Sequence, residues 1–166
     1  MIAEQLLTVI QEVASKTNLH SGSEDDIKQE LVMRILQSVG WNIFNRQEIT
    51  PEFPVFDGRV DYALRDVNGG KVLVFIEVKR GGEELSRHEE QLLKYAFRQS
   101  VRLGVLTNGR VWRMYLPMVE SVWSERIFDT IDISEGAEDV TDRFINFLSK
   151  DKVYSGESER LARERW

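Results

Sequence analysis

Arg59-Val60-Asp61-Tyr62-Ala63-Leu64 and Val74-Phe75-Ile76-Glu77-Val78-Lys79 flank the tripeptide Asn68-Gly69-Gly70. Both runs are rich in β-branched and aromatic residues, which marks strands. Asn-Gly-Gly tolerates the positive φ of a tight hairpin. With 68–70 as the loop, Val67 faces Lys71, and Asp61 then lies directly opposite Glu77. Side chains alternate along a strand, so Lys79 shares the face of Glu77. A loop shorter by one residue would slip the register and send Asp61 to the other face.

This arrangement gathers two carboxylates and an ammonium in strands that are otherwise apolar. Such groups are costly to bury unless they are paired or bind a metal. Close carboxylates repel and raise one pKa unless a cation sits between them. A hard divalent ion binds through one or two carboxylates, keeps several waters and takes further oxygens from a phosphate. A lysine beside it can hold or deprotonate an attacking water and offset developing charge. The alternative is a cross-strand salt bridge on a solvated face. Phe75, Ile76 and Val78 leave little of the second strand polar, which weighs against it.

Asp61 followed by Glu77-Val78-Lys79 resembles the PD-(D/E)XK nuclease superfamily, and in particular the N-terminal nuclease domain of type I restriction endonuclease R subunits. The resemblance runs from about Ser23 to Tyr115. It takes in Leu36 to Trp41, Gln91-x-x-x-Tyr95 and Gly104-Val105-Leu106-Thr107-Asn108-Gly109, followed by Trp112. One departure is Val60, where the superfamily name has proline. The resemblance implies a restriction-endonuclease-like α/β core, with a mixed central sheet flanked by helices. It implies Mg²⁺ (Mn²⁺ as substitute) on Asp61, Glu77 and the Val78 carbonyl, a water positioned by Lys79, and a DNA-binding helix carrying Gln91 and Tyr95. The expected activity is endonucleolytic hydrolysis of DNA phosphodiesters in a restriction or defence system, alongside helicase or methylase partners. The alternative is a non-catalytic nucleic-acid-binding or assembly module that retains the fold.

Residues 24–39 read as an amphipathic helix, with Ile27, Leu31, Ile35 and Val39 on one stripe and Gly40 at its end. Ser21 or Ser23 can cap it, and Ser21-x-x-Glu24 has capping-box spacing. Glu24 falls within the apolar stripe and could supply a further carboxylate to the site, or it could only cap its own helix. Glu30 lies off that stripe and reads as solvated. Gln91 and Tyr95 share a face of a helix at 86–99, where a tyrosine among leucines can equally be core.

The formal net charge is −6, whereas phosphate contacts dominate DNA affinity. The basic residues Lys79, Arg80, Arg87, Lys94, Arg98 and Arg102 gather near the proposed site, either to meet phosphates or as a solubilising face. The absence of cysteine removes thiol catalysis, zinc ribbons and disulfides, and fits a reducing cytoplasm. His20 and His88 are too isolated for a zinc site. No apolar run approaches membrane-spanning length, and no phosphate-binding loop or dinucleotide fingerprint is present.

The remaining elements read as helix 2–15, a polar linker to 22, strand 42–49, an irregular connection around Pro51 and Pro54, strands 103–107, 111–117 and 126–133, and helix 137–149. Residues 1–166 read as one domain. Its stretch 155–166 reads as a frayed helix or a tail that orders on a partner. One site per chain would need a homodimer to cut both strands at once, but no residue marks a dimer face.

Overall fold

A computed structural model describes residues 2–16 and 21–166. His20 and most of the expected linker lie outside the described residues. Six strands form one sheet in sequence order: β1 (Ile49–Val55), β2 (Gly58–Arg65), β3 (Val72–Val78), β4 (Leu103–Thr107), β5 (Val111–Tyr115) and β6 (Ile127–Asp132). The pair β3–β4 is parallel and all other pairs are antiparallel. A parallel pair needs a crossover, and α4 (Glu89–Arg98) provides it.

The helices α1 (Ile2–Ala14), α2 (Glu24–Ile27), α3 (Met33–Ser38) and α5 (Ala137–Leu148) bury their apolar stripes against one face of the sheet, on Tyr62, Leu64, Val74, Ile76 and Val78. On the other face Leu92, Leu93, Tyr95 and Ala96 of α4 pack over Ala63, Phe75, Leu106 and Tyr115. The alternation along β3 therefore divides two layers, and Glu77 falls on the α4 side with Phe75.

Three expectations need correction. The segment 42–49 is not a strand. Asn42 and Asn45 accept from the amides of Phe44 and Gln47, 3.0 and 2.9 Å away, and turn the chain. The strand starts at Ile49 and contains both Pro51 and Pro54. It lies at the sheet margin, where a missing amide hydrogen breaks few ladder bonds.

The stretch 155–166 is neither frayed nor unattached. It forms the end of α6 (Lys150–Ser155) and α7 (Glu157–Arg165). Ala162 is fully buried, Arg165 pairs with Asp129 at 3.2 Å, and the Trp166 indole donates to the Glu125 carbonyl at 2.8 Å.

The helix read at 24–39 is also not uniform. Its N-cap is Ser23, whose box partner is Asp26 rather than Glu24. Lys28–Val32 between α2 and α3 is a π-turn. Gly40, at φ +104°, ends the helix as expected, and Trp41 is locked by a 2.8 Å bond from its indole to the Leu148 carbonyl.

Candidate active site

Asp61 and Glu77 meet where β2 and β3 part. Tyr62↔Ile76 is the last pair in their ladder. Beyond it, side chains replace backbone pairing: Val78 N–H donates to Asp61 Oδ2 at 2.7 Å, and Asp61 N–H donates to Glu77 Oε1 at 3.0 Å. Each carboxylate thus spends one oxygen holding the strands together and keeps the other for a different partner.

Asp61 Oδ1 receives Lys28 Nζ at 2.8 Å, and Glu77 Oε2 lies 3.9 Å from Lys79 Nζ. All four side chains are less than one-fifth exposed. The Lys79 backbone is pinned by its amide to the Thr107 carbonyl, 2.8 Å away.

The electrostatics follow from burial and proximity. Burial, then the hydrogen bond and charge of Asp61, push the Glu77 carboxyl up to about 8. Burial works in the same upward direction on Asp61, but hydrogen bonds from Glu77, Lys28 and Val78 outweigh it and hold its pKa below the ordinary value. Burial and mutual repulsion therefore drive the two carboxyls apart in acidity, Glu77 upward and Asp61 downward. Burial opposes the charge on Lys28, yet the bond and ion pair with Asp61 raise its pKa.

Gln91 and Tyr95 sit on α4 with Gln91 Nε2 donating to Tyr95 Oη at 3.0 Å. Tyr95 is buried, and burial, a hydrogen bond with Asp57 and the nearby charge of Glu77 raise its pKa. Its hydroxyl closes on the β1–β2 turn so tightly that a Cβ at Gly58 would lie 2.9 Å from it. A groove of about 370 Å³ runs past this contact, lined by Asp57, Arg87, Glu90, Gln91, Lys94, Tyr95 and Arg98. Arg98 also stacks over the exposed Phe56 ring at 5.3 Å. Part of the basic charge is already countered: Lys94 pairs with Glu90 at 3.0 Å, and Arg102 pairs with Glu159 on α7 at 3.3 Å. Arg102 therefore does not belong to this groove.

Glu24 does not join the pair. It is exposed in the first turn of α2, while the π-turn presents Lys28 to Asp61 instead. Glu30 is likewise exposed. Sequence reasoning missed Lys28 and also Glu52, whose Oε1 lies 3.7 Å from Lys28 Nζ. One more charged residue on an already polar helix face gives no periodic signal.

The donors at the pair suit a hard cation: two carboxylates in a largely buried pocket, whose mutual repulsion a divalent ion would relieve. Among the described residues no group of three or more His, Asp or Glu side chains could hold a metal. An ion here would therefore complete its shell with water, backbone and substrate oxygens.

Residues 54–117 match the family model of the type I restriction enzyme R protein N terminus (HSDR_N). That span contains Asp61, Glu77, Lys79, Gln91 and Tyr95, and excludes Lys28 and Glu52. The crystal structure of the type IIG restriction endonuclease BpuSI is similar to this chain, with a TM-score of 0.50 and 18% identity, over 94% of this chain and 18% of that one. The chain thus spans less than a fifth of that enzyme's length. No curated protein matches. The α/β fold is similar to that of a restriction endonuclease, and residues 54–117 are similar to the N terminus of a type I restriction enzyme R protein. No helix among the described residues is long and apolar enough to cross a membrane.

Proposed function

We propose that this chain is a Mg²⁺-dependent DNA endonuclease domain of a restriction or defence system. The observation that carries the reading is the largely buried Asp61–Glu77 carboxyl pair, held where β2 and β3 part and lying beside Lys79. Asp61, Glu77 and the Val78 carbonyl would hold the ion. Bound there, Mg²⁺ or Mn²⁺ supplies Lewis-acid polarisation of the phosphate and stabilises the leaving oxygen.

The protein's own groups supply the rest. Glu77, whose carboxyl pKa is pushed up by burial and by Asp61, would release any proton it carries to solvent as an ion binds. Lys79 holds the attacking water and places positive charge beside the phosphorane-like transition state. Gln91 and Tyr95, tied to each other, line the α4 groove. Arg87, Lys94 and Arg98 along that groove meet DNA phosphates, which localises basic charge on a chain whose net charge is −6. The proposal extends to helicase or methylase partner proteins, in keeping with the similarity to the N terminus of a type I restriction enzyme R protein.

The test is incubation of purified protein with DNA and Mg²⁺, comparing wild type with Asp61→Ala, Glu77→Ala and Lys79→Ala. All three variants are expected to lose cleavage while remaining folded. Cleavage at the wild-type rate by any of them refutes the assignment.

A second reading is favoured by the ion pair of Lys28 with Asp61. A carboxylate already neutralised by lysine is what a non-catalytic module with the same fold would keep. Calorimetric titration with Mg²⁺ separates the two: binding that is lost in Asp61→Asn and Glu77→Gln supports the nuclease, and no binding supports the module.

A further inference from the structure

Two uncommon backbone conformations face each other across Asp61. On one side, Lys28 opens the π-turn Lys28–Val32; π-turns inside helices recur at functional sites. On the other, Glu52 adopts φ +51°, in the left-handed region that non-glycine residues seldom occupy. Glu52 lies opposite Asp61, between the register pairs Pro51↔Tyr62 and Phe53↔Val60. Strain of this kind persists only where the surroundings enforce it.

The side chains from these two positions meet at one ammonium. Lys28 Nζ is 2.8 Å from Asp61 Oδ1 and 3.7 Å from Glu52 Oε1. The Asp61 oxygen occupied by Lys28 is the one that Val78 leaves available. Lys28 is also held in place along its helix. The neighbouring Ile27 packs against Gly109, where a Cβ would lie 3.3 Å from it, and the Gly22 carbonyl accepts from the Gly81 amide at 2.8 Å.

We infer that Lys28 is the built-in counter-cation of Asp61 and transfers to Glu52 when a divalent ion takes its place. The inference rests on the cation-site reading above and concerns the regulation of that site. An ammonium and a divalent ion repel strongly when they share one carboxylate oxygen in a pocket of reduced dielectric. Lys28 therefore has to leave Oδ1, and Glu52, with its side chain about half exposed at 55%, is the acceptor within reach. In the metal-free protein Lys28 offsets the charge at Asp61 Oδ1. With metal present it sits on Glu52, leaving Asp61 to the ion. Lys28 thus sets how much free cation the domain needs, as a positioning residue and not a ligand.

The experiment is calorimetric titration of Mn²⁺ into the full chain, without DNA, for wild type, Lys28→Met, Glu52→Gln and the exposed control Lys71→Met. Lys28→Met is expected to bind Mn²⁺ about tenfold more tightly, and Glu52→Gln about tenfold more weakly. The control is expected to change affinity less than about twofold, because remote exposed charges are screened. Unchanged or weaker binding by a folded Lys28→Met overturns the inference while leaving the cation site standing. If Lys28→Met does not fold, Glu52→Gln decides, and wild-type affinity there overturns it. No Mn²⁺ binding by wild type or by Lys28→Met removes both the inference and the cation site.

Discussion

Asp61 N–H donates to Glu77 Oε1 at 3.0 Å while Asp61 Oδ2 accepts from Val78 N–H at 2.7 Å, so the two acids stitch together the strands that they also terminate. Structural and chemical roles therefore fall on the same atoms, and variants have to be read with that in mind.

The first consequence concerns pH. Glu77 keeps its proton up to about pH 8 in the folded chain, whereas unfolded it would lose it in the ordinary carboxylate range. The folded state then binds more protons across that interval, so this group's stabilising contribution is complete below the ordinary carboxylate pKa and is lost as pH rises through about 8. Urea denaturation of metal-free protein between pH 5 and 9 should show stability falling with pH, and Glu77→Gln should flatten the slope. A Glu77→Gln slope equal to that of the wild type would exclude a proton on Glu77.

Asp61 behaves in the opposite sense. Its pKa is lowered in the fold, so its contribution is present above its unfolded pKa and lost on acidification through the folded one. Asp61→Asn retains an oxygen for Val78 N–H but leaves Lys28 without its closest anion. The expected cost at neutral pH is about 1–3 kcal/mol, measured by the shift in urea midpoint at constant slope. Cleavage should be lost altogether.

Lys79 separates chemistry from stability more cleanly. Its side chain makes a 3.9 Å contact with Glu77 Oε2. Lys79→Met should cost less than about 1 kcal/mol of stability and lower the DNA cleavage rate by about 10²–10³-fold. A variant that cleaves at the wild-type rate would refute the assignment.

Gly58→Ala tests the lining of the α4 groove. The added methyl meets Tyr95 Oη at 2.9 Å, and that hydroxyl is held by Gln91 and Asp57. The predicted cost is about 1–3 kcal/mol. Pairing it with Tyr95→Phe, which removes the obstructing oxygen, should recover part of that loss in a double-mutant cycle.

The C-terminal helix gives a prediction remote from the site. Deleting 157–166 removes the Arg165–Asp129 and Trp166–Glu125 contacts and uncovers the surface packed on Ala162. Stability should fall by about 2–4 kcal/mol, read from thermal and urea unfolding.

The convergence of Asp61, Glu77 and Lys79 was legible in the sequence because strand alternation has period two and the runs are strongly apolar. The register was inferred from a three-residue loop, yet Asp66 N–H bonds the Lys71 carbonyl, so the loop is longer by one. An irregularity on β3 between Val72 and Val74 takes up the extra residue, and pairing from Leu64↔Val74 onward is as expected. The two departures cancel, and neither is visible in residue types.

Other features were hidden for identifiable reasons. The apolar residues of 42–49 suggested a strand, but Asn side-chain bonds and the buried Glu48, paired with Lys150 at 3.0 Å, dictate turns. Pro51 and Pro54 argued against a strand because proline is excluded from sheet interiors, and the sequence does not say which strand lies outermost. Lys28 escaped notice because a helical wheel assumes an unbroken helix. The tail looked too polar to pack, since it anchors mainly through one small buried side chain, an ion pair and an indole.

The prolines of β1 carry one more implication. This outermost strand cannot offer an amide hydrogen at Pro51 or Pro54. A neighbouring copy seeking to extend the sheet there would meet gaps in its zipper of bonds. That margin is thereby guarded against fibril-like stacking, and a pairing of two such molecules that extended the sheet would be left to the opposite margin at β6.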